Sequence, residues 1–311
     1  MTVTAGGAAV GAAISTVLRG AGCSGSVAAL AIDGPGAVFV DADIPAVSAS
    51  VVKVSIALEV LTAFTDGRLD PLAVVELPVD NRTPGPTGLS ASPTDASATL
   101  GELVAPMLAI SDNEAADVLL HRVGIDAVNT RSRSLGLADS IIVSDLRTMI
   151  ASLAHDTGFP DWAAMTAWTG MDQAADDLAS FFGQLVAARA LNPAAATRTT
   201  AADTARLLRL VCRGEAGPVD VCAQLRALLA GQANRTRIAS GFPPDVRVAA
   251  KSGSLMGVVR NEAGIVTDPD GRSWAVAVFT RADRPYERGA DIDAAISEVA
   301  ARAVAFLRAT T

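Results

Sequence analysis

A chain of 311 residues that is 50 % hydrophobic is long enough to bury a sizeable core in one or two domains. Its net charge of −8 and pI near 4.8 argue against nucleic acid or an anionic membrane surface as the main partner, and at 4 % aromatic it has no stacking platform for bases. No apolar run is long enough to span a bilayer, and the three cysteines, Cys23, Cys212 and Cys222, are not a disulfide framework.

The first sixteen residues, rich in Ala, Gly and Val, read as a helix packed on a sheet. No basic residue precedes Arg19, so the positive start of a secretory signal is missing and the chain reads as cytoplasmic. Residues 26–32 and 37–40 are apolar runs around Asp33-Gly34-Pro35-Gly36, a hairpin pattern. Residues 51–64 are apolar nearly all round and stop at Asp66-Gly67, as a buried helix does. Residues 81–98 form a long loop rich in Pro, Gly, Ser and Thr, and Thr99 with Glu102 makes a capping box for a helix to about residue 109. From 111 to about 211 the pattern is mainly helical, over 114–122, 171–190 and 200–213, with Ser111 and Glu114 fitting a second capping box. One more helix, 219–230, precedes strands at 246–250, 262–267 and 273–280, the last two joined by the turn Asp268-Pro269-Asp270-Gly271. An amphipathic helix, 291–308, closes the chain. Strands thus come from both ends and helices from the middle.

Lysine is used only twice, at Lys53 and Lys251, and the other 23 basic residues are arginines. Arginine keeps its proton at any physiological pH, whereas a desolvated lysine can lose one. Lys53 lies three residues after Ser50, one helical turn away on the same face. A serine hydroxyl is a weak nucleophile until a neighbouring base takes its proton. A lysine buried in an apolar helix and facing a second lysine has the lowered pKa needed to do so. By itself this spacing is a weak signal, better explained as a helix cap followed by a snorkelling lysine. The two histidines, His121 on a helix and His155 at the start of a loop, make no Ser-His-Asp arrangement, and no Cys/His cluster has metal-ligand spacing.

What selects the catalytic reading is order along the chain. Ser50-Val51-Val52-Lys53, Ser111-Asp112-Asn113 and Lys251-Ser252-Gly253 resemble the S-x-x-K, S-D-N and K-T-G motifs of class A β-lactamases and penicillin-binding proteins. The resemblance implies an α/β plus all-α, β-lactamase-like fold. An antiparallel sheet of N- and C-terminal segments (1–47 and 217–311), flanked by helices, would carry an inserted helical domain (48–216). It also implies Ser50 as nucleophile, Lys53 as general base, and Ser111 and Lys251 as proton relay and electrostatic support. Asn113, Ser252, Gly253 and Ser254 would bind substrate, the N–H groups of Ser50 and Ser254 forming the oxyanion hole, while Asp112 would be structural. Arg260, on the next strand, is either a holder of a substrate carboxylate or a surface arginine. No cofactor or metal is implied, the partner is a small β-lactam, ester or amide, and the oligomeric state is left open.

The chain departs from that family in a longer stretch between the second and third motifs, with Trp162 and Trp168 in it, in lacking the tyrosine that other branches use as base, and in the deacylation apparatus. Class A β-lactamases activate the deacylating water with a glutamate, yet no glutamate stands between Glu114 and Glu215, and its place falls near Ala188. Asp172, Asp176 and Asp177 are the carboxylates available nearby, and the spacing selects none of them. Three readings therefore follow: a β-lactamase-like hydrolase working through an acyl-enzyme, a cytoplasmic esterase or amidase of secondary metabolism, and a penicillin-binding module with little turnover.

Overall fold

The computed structural model describes residues 5–310. Helix α1 (Ala5–Gly20) leads into β1 (Cys23–Ala31) and β2 (Ala37–Val40), the expected hairpin, with Val27 opposite Val40. A short strand β3 (Ala46–Val47) and a 3-10 turn over Ala49–Val52 run directly into α2 (Lys53–Thr65). Strands β4 (Val74–Leu77) and β5 (Ala96–Thr99) pair at the ends of the long loop and lead to α3 (Leu100–Ala109). Helices α4 (Asn113–Val123), α5 (Ile125–Ser134), α6 (Leu146–Asp156), α7 (Trp162–Thr169) and α8 (Ala175–Ala187) follow. Then come β6 (Arg198–Thr199), α9 (Ala201–Arg213), α10 (Val219–Ala230), β7 (Arg247–Leu255), β8 (Val259–Thr267), β9 (Ser273–Ala282) and α11 (Gly289–Thr310).

One antiparallel sheet, in the order β2-β1-β9-β8-β7, joins the two ends of the chain. Its strands are apolar on both faces, and the alternation of side chains divides them between two cores. Trp274, Val276 and Val278 of β9 pack with α1 and α11, while Ala275, Ala277 and Phe279 face α2, α9 and the other middle helices. Helix α2 is the axis of that second core: Ile56, Ala57, Val60 and Ala63 have no exposed surface. Each large aliphatic side chain buried in this way contributes about 1.5–3 kcal/mol. A third cluster, with Leu153, Met165, Phe181 and Leu185, joins α6, α7 and α8 to the β7–β8 turn. Among the described residues no helix is long and apolar enough to cross a membrane.

Three local expectations change. The helix placed at 171–190 occupies only Ala175–Ala187, because Gly170 closes α7 and the acidic pair Asp176 and Asp177 suits a first turn. His155 does not begin a loop but lies in the last turn of α6, where its ring nitrogen meets the carbonyl of Pro160. The cap of α4 is Asp112 rather than Ser111: its carboxylate accepts from the N–H groups of Glu114 and Ala115, and Glu114 reaches Thr83 instead. The capping box at Thr99 and Glu102 forms as expected.

Candidate active site

Ser50 sits in the 3-10 turn that opens α2, so the next helical turn brings Lys53 beneath it. Lys53 is fully buried. Its Nζ lies 2.7 Å from the carbonyl of Ser111, 2.8 Å from Asn113 Oδ1, and 3.3 Å from both Ser111 Oγ and the carbonyl of Asp112. Burial, and then the charge of Lys251, pull its pKa well below that of a free lysine. A lowered pKa favours the neutral amine, whose lone pair is the requirement for accepting a serine proton.

The Ser111–Asn113 segment is held in an uncommon shape. Ser111 has φ 63°, in the left-handed region a non-glycine residue enters only when its surroundings enforce it. The enforcing group is Asp112, which is fully buried and accepts from the N–H of Leu89 at 2.6 Å and from Ser90 Oγ at 3.1 Å besides capping α4. Gly88 allows that approach: with φ 60° it is already left-handed, and a Cβ there would lie 2.2 Å from Asp112 Oδ2. Asn113 donates from Nδ2 to the carbonyl of Pro84 at 2.8 Å, fixing the amide that faces Lys53.

The opposite wall is edge strand β7. Lys251 is fully buried, donates to the carbonyl of Ser252 at 2.8 Å, and burial brings its pKa down to about 7. Behind it Glu262 of β8, raised above the usual carboxylate range by burial, accepts from Gln232 Nε2 and from the N–H of Ile238. Gln232 also accepts from the N–H of Ser252, so one buried amide ties β7 to Glu262. Gly253 lets the 3-10 turn lie against the strand: a Cβ there would meet the Ser50 nitrogen at 3.0 Å. Asn261 Nδ2 donates to the carbonyl of Val47 at 2.9 Å and fastens β8 to the segment entering that turn.

Ser50, Ser111, Asn113, Ser252 and Ser254 share one cavity of about 740 Å³. Arg260 does not line it. Its guanidinium is taken by both oxygens of Asp293, at 2.8 and 2.5 Å. Asp293 also binds Arg237, a buried arginine that donates to Ser254 Oγ at 2.6 Å and to the carbonyl of Gly253 at 3.0 Å. Asp172, Asp176 and Asp177 are exposed and line no part of the cavity, and Ala188 is 2 % exposed.

Several residues here escaped the reading of the sequence. Asp145 lines the cavity while it caps α6 and meets His121 at 2.8 Å. It is partly buried, but the bonds from Thr148 and His121 outweigh that and keep its carboxyl below the usual range. Leu146, Met149, Ile150 and Leu153 follow it at i, i+3, i+4 and i+7, a pattern that reads as an ordinary core face. Arg237, Gln232 and Glu262 carried no local signal, because the partners that tie them to the site lie 16 to 56 positions away in the chain.

A sheet joined from both chain ends, middle helices packed on it, and a serine–lysine pair between them define a β-lactamase-like protein. Residues 9–307 match the family described as "Beta-lactamase enzyme family", and the chain belongs to that family. It is 27 % identical, over 85 % of its length and 86 % of the relative, to a protein of Streptomyces cacaoi named β-lactamase regulatory protein BlaB. A β-lactamase from Sphaerobacter thermophilus superposes with a TM-score of 0.72 at 25 % identity, covering 97 % of both chains. A point mutant of PBP-A, solved as an acyl-enzyme complex with penicillin G, superposes at 0.74 with 19 % identity and 97 % coverage of both, which shows a shared fold.

Proposed function

We propose that the chain is a serine hydrolase in which Ser50 is acylated by a β-lactam or a related amide or ester and gives up the acyl group slowly. The observation that carries this reading is the buried, pKa-lowered Lys53, held by Ser111 and Asn113 one helical turn from Ser50. Lys53 takes the Ser50 proton as Oγ bonds to the carbonyl carbon. The oxyanion draws on the N–H groups of Ser50 and Ser254, backbone donors carried by the 3-10 turn and by β7. The proton then passes through the Ser111 hydroxyl to the departing nitrogen or oxygen as the C–N or C–O bond breaks. Lys251, charged below about pH 7, keeps the polar wall positive during this transfer.

Hydrolysis of the acyl-enzyme needs a second base for water. Ala188 supplies none, and Asp145 is engaged by Thr148 and His121. Acylation is therefore equipped and deacylation is not. A PBP-A mutant of the same fold holds penicillin G as an acyl-enzyme, which supports the first half of the cycle. The Streptomyces relative, a regulatory protein by name, favours a second reading in which the acyl-enzyme itself is the signal and turnover is incidental. An esterase or amidase would use the same first step.

Labelling with a fluorescent penicillin tests the shared step. Ser50→Ala should abolish the label while circular dichroism stays unchanged. A label that persists on the variant would put the nucleophile elsewhere.

A further inference from the structure

The lining of the cavity beside Ser50 is uneven. Between the Ser111–Asn113 segment and β7 it is polar, with Ser111, Asn113, Ser252 and Ser254. Its other side is aliphatic and aromatic: Met149 of α6 and Trp162 of α7 are partly exposed to it, and the buried Leu120, Ile142, Ile150 and Leu153 lie against the same space. Among the described lining residues the single charged side chain is Asp145, and no arginine is present. Two arginines beside the Ser254 end of β7 are spent, Arg260 on Asp293 and the 2 %-exposed Arg237 on Asp293, Ser254 and two carbonyls. A substrate carboxylate would find no free guanidinium and would meet the charge of Asp145.

We propose that the acyl part of the substrate is an uncharged aliphatic chain lying along this apolar wall, which makes the preferred substrate class medium-chain acyl esters. The inference rests on the reading that Ser50 is acylated. The leaving oxygen must sit at the Ser111 hydroxyl to receive its proton, so the leaving group belongs to the polar wall and the acyl chain to the other. In balanced form, Ser50 Oγ bonds to the carbonyl carbon, the ester C–O bond breaks, and the Ser50 proton leaves with the alcohol. Water later splits the acyl-serine into the free acid and serine. The volume of about 740 Å³ lies within the ordinary range for small-molecule pockets and leaves room for such a chain.

The chain-length dependence of acylation tests this. The burst of p-nitrophenolate is followed with the acetate, butyrate, hexanoate and octanoate esters, on the wild-type chain and on Ser50→Ala. Each methylene moved from water to an apolar wall is worth roughly a fourfold gain in acylation rate constant, so octanoate, six methylenes longer, should exceed acetate by on the order of 10³-fold. Met149→Trp, which fills the wall, should lower the octanoate-to-acetate ratio about tenfold, and Trp162→Ala, which opens it, should move the optimum to a longer chain. A Ser50-dependent burst that is flat or falls with chain length would overturn the acyl-chain assignment and leave the acylation chemistry standing. No Ser50-dependent burst with any ester, and no labelling by penicillin, would overturn both.

Discussion

Lys53 and Lys251 differ in what their neighbours ask of them. Lys53 must exchange a proton with Ser50, and arginine, which keeps its charge, cannot do so. Lys53→Arg should thus cut the acylation rate nearly as far as Lys53→Ala, by about 10²–10⁴-fold, the usual contribution of a general base. Lys251 donates one hydrogen bond to the carbonyl of Ser252 and lies beside Glu262, a largely electrostatic duty that arginine partly fulfils. Stopped-flow acylation rates for the two arginine variants check this, and equal tolerance at both positions would contradict the division of labour. At this scale the serine–lysine pair was readable, since two lysines in the whole chain mark themselves. Asp145 was not readable, because an aspartate before an apolar helix is sufficiently explained as its cap.

At the scale of elements, the site depends on how closely the 3-10 turn at Ala49–Val52 lies against β7. Gly253 sets that distance. A methyl group there would press on the Ser50 nitrogen at 3.0 Å, on Ala49 Cβ at 3.1 Å and on the Ser48 carbonyl at 3.1 Å. The turn must then shift by a few tenths of an ångström and carry one oxyanion donor with it. Gly253→Ala should slow acylation by about 10–10²-fold with only a small change in melting temperature. Wild-type acylation in this variant would mean that the turn and strand are not held in fixed contact. The terminal strands and the α2, α3 and α9 helices were legible because each has a period and a stop signal. The β4–β5 pair was not, as its four-residue strands flank a loop whose composition dominates the window. The apolar wall of the cavity was hidden for a different reason: periodicity tells which face of α6 is apolar and is silent on whether that face meets a neighbour or a void.

For the whole molecule, burying two lysines beside each other leaves a mark on stability. Lys251 has a folded pKa of about 7, against 10.5 for a free lysine. Between those values the unfolded chain holds a proton that the folded chain lacks, so stability rises with pH, by up to about 1.4 kcal/mol per unit for one proton. Lys53, also lowered, acts in the same direction. Cys23 opposes them: burial raises its thiol to about 11, so above about pH 9 the unfolded chain loses that proton first and its contribution to stability declines. Urea titrations should therefore give a stability that climbs from pH 7 and climbs less steeply above about 9, and Lys251→Met should make the climb shallower. A curve that is flat over the first interval would show that the lysines are not desolvated in the folded state.

The central claim is that Ser50 is equipped to take an acyl group and poorly equipped to lose it. Intact-protein mass spectrometry after mixing with a β-lactam or a reactive ester measures both at once. A missing general base for water should lengthen the life of the adduct by about 10²–10⁴-fold relative to an efficient β-lactamase, so a mass increase equal to the acyl group should persist on Ser50 for minutes or longer. Rapid turnover of the β-lactam with no adduct detectable at any time would contradict the account, and would require a carboxylate acting on water at this site.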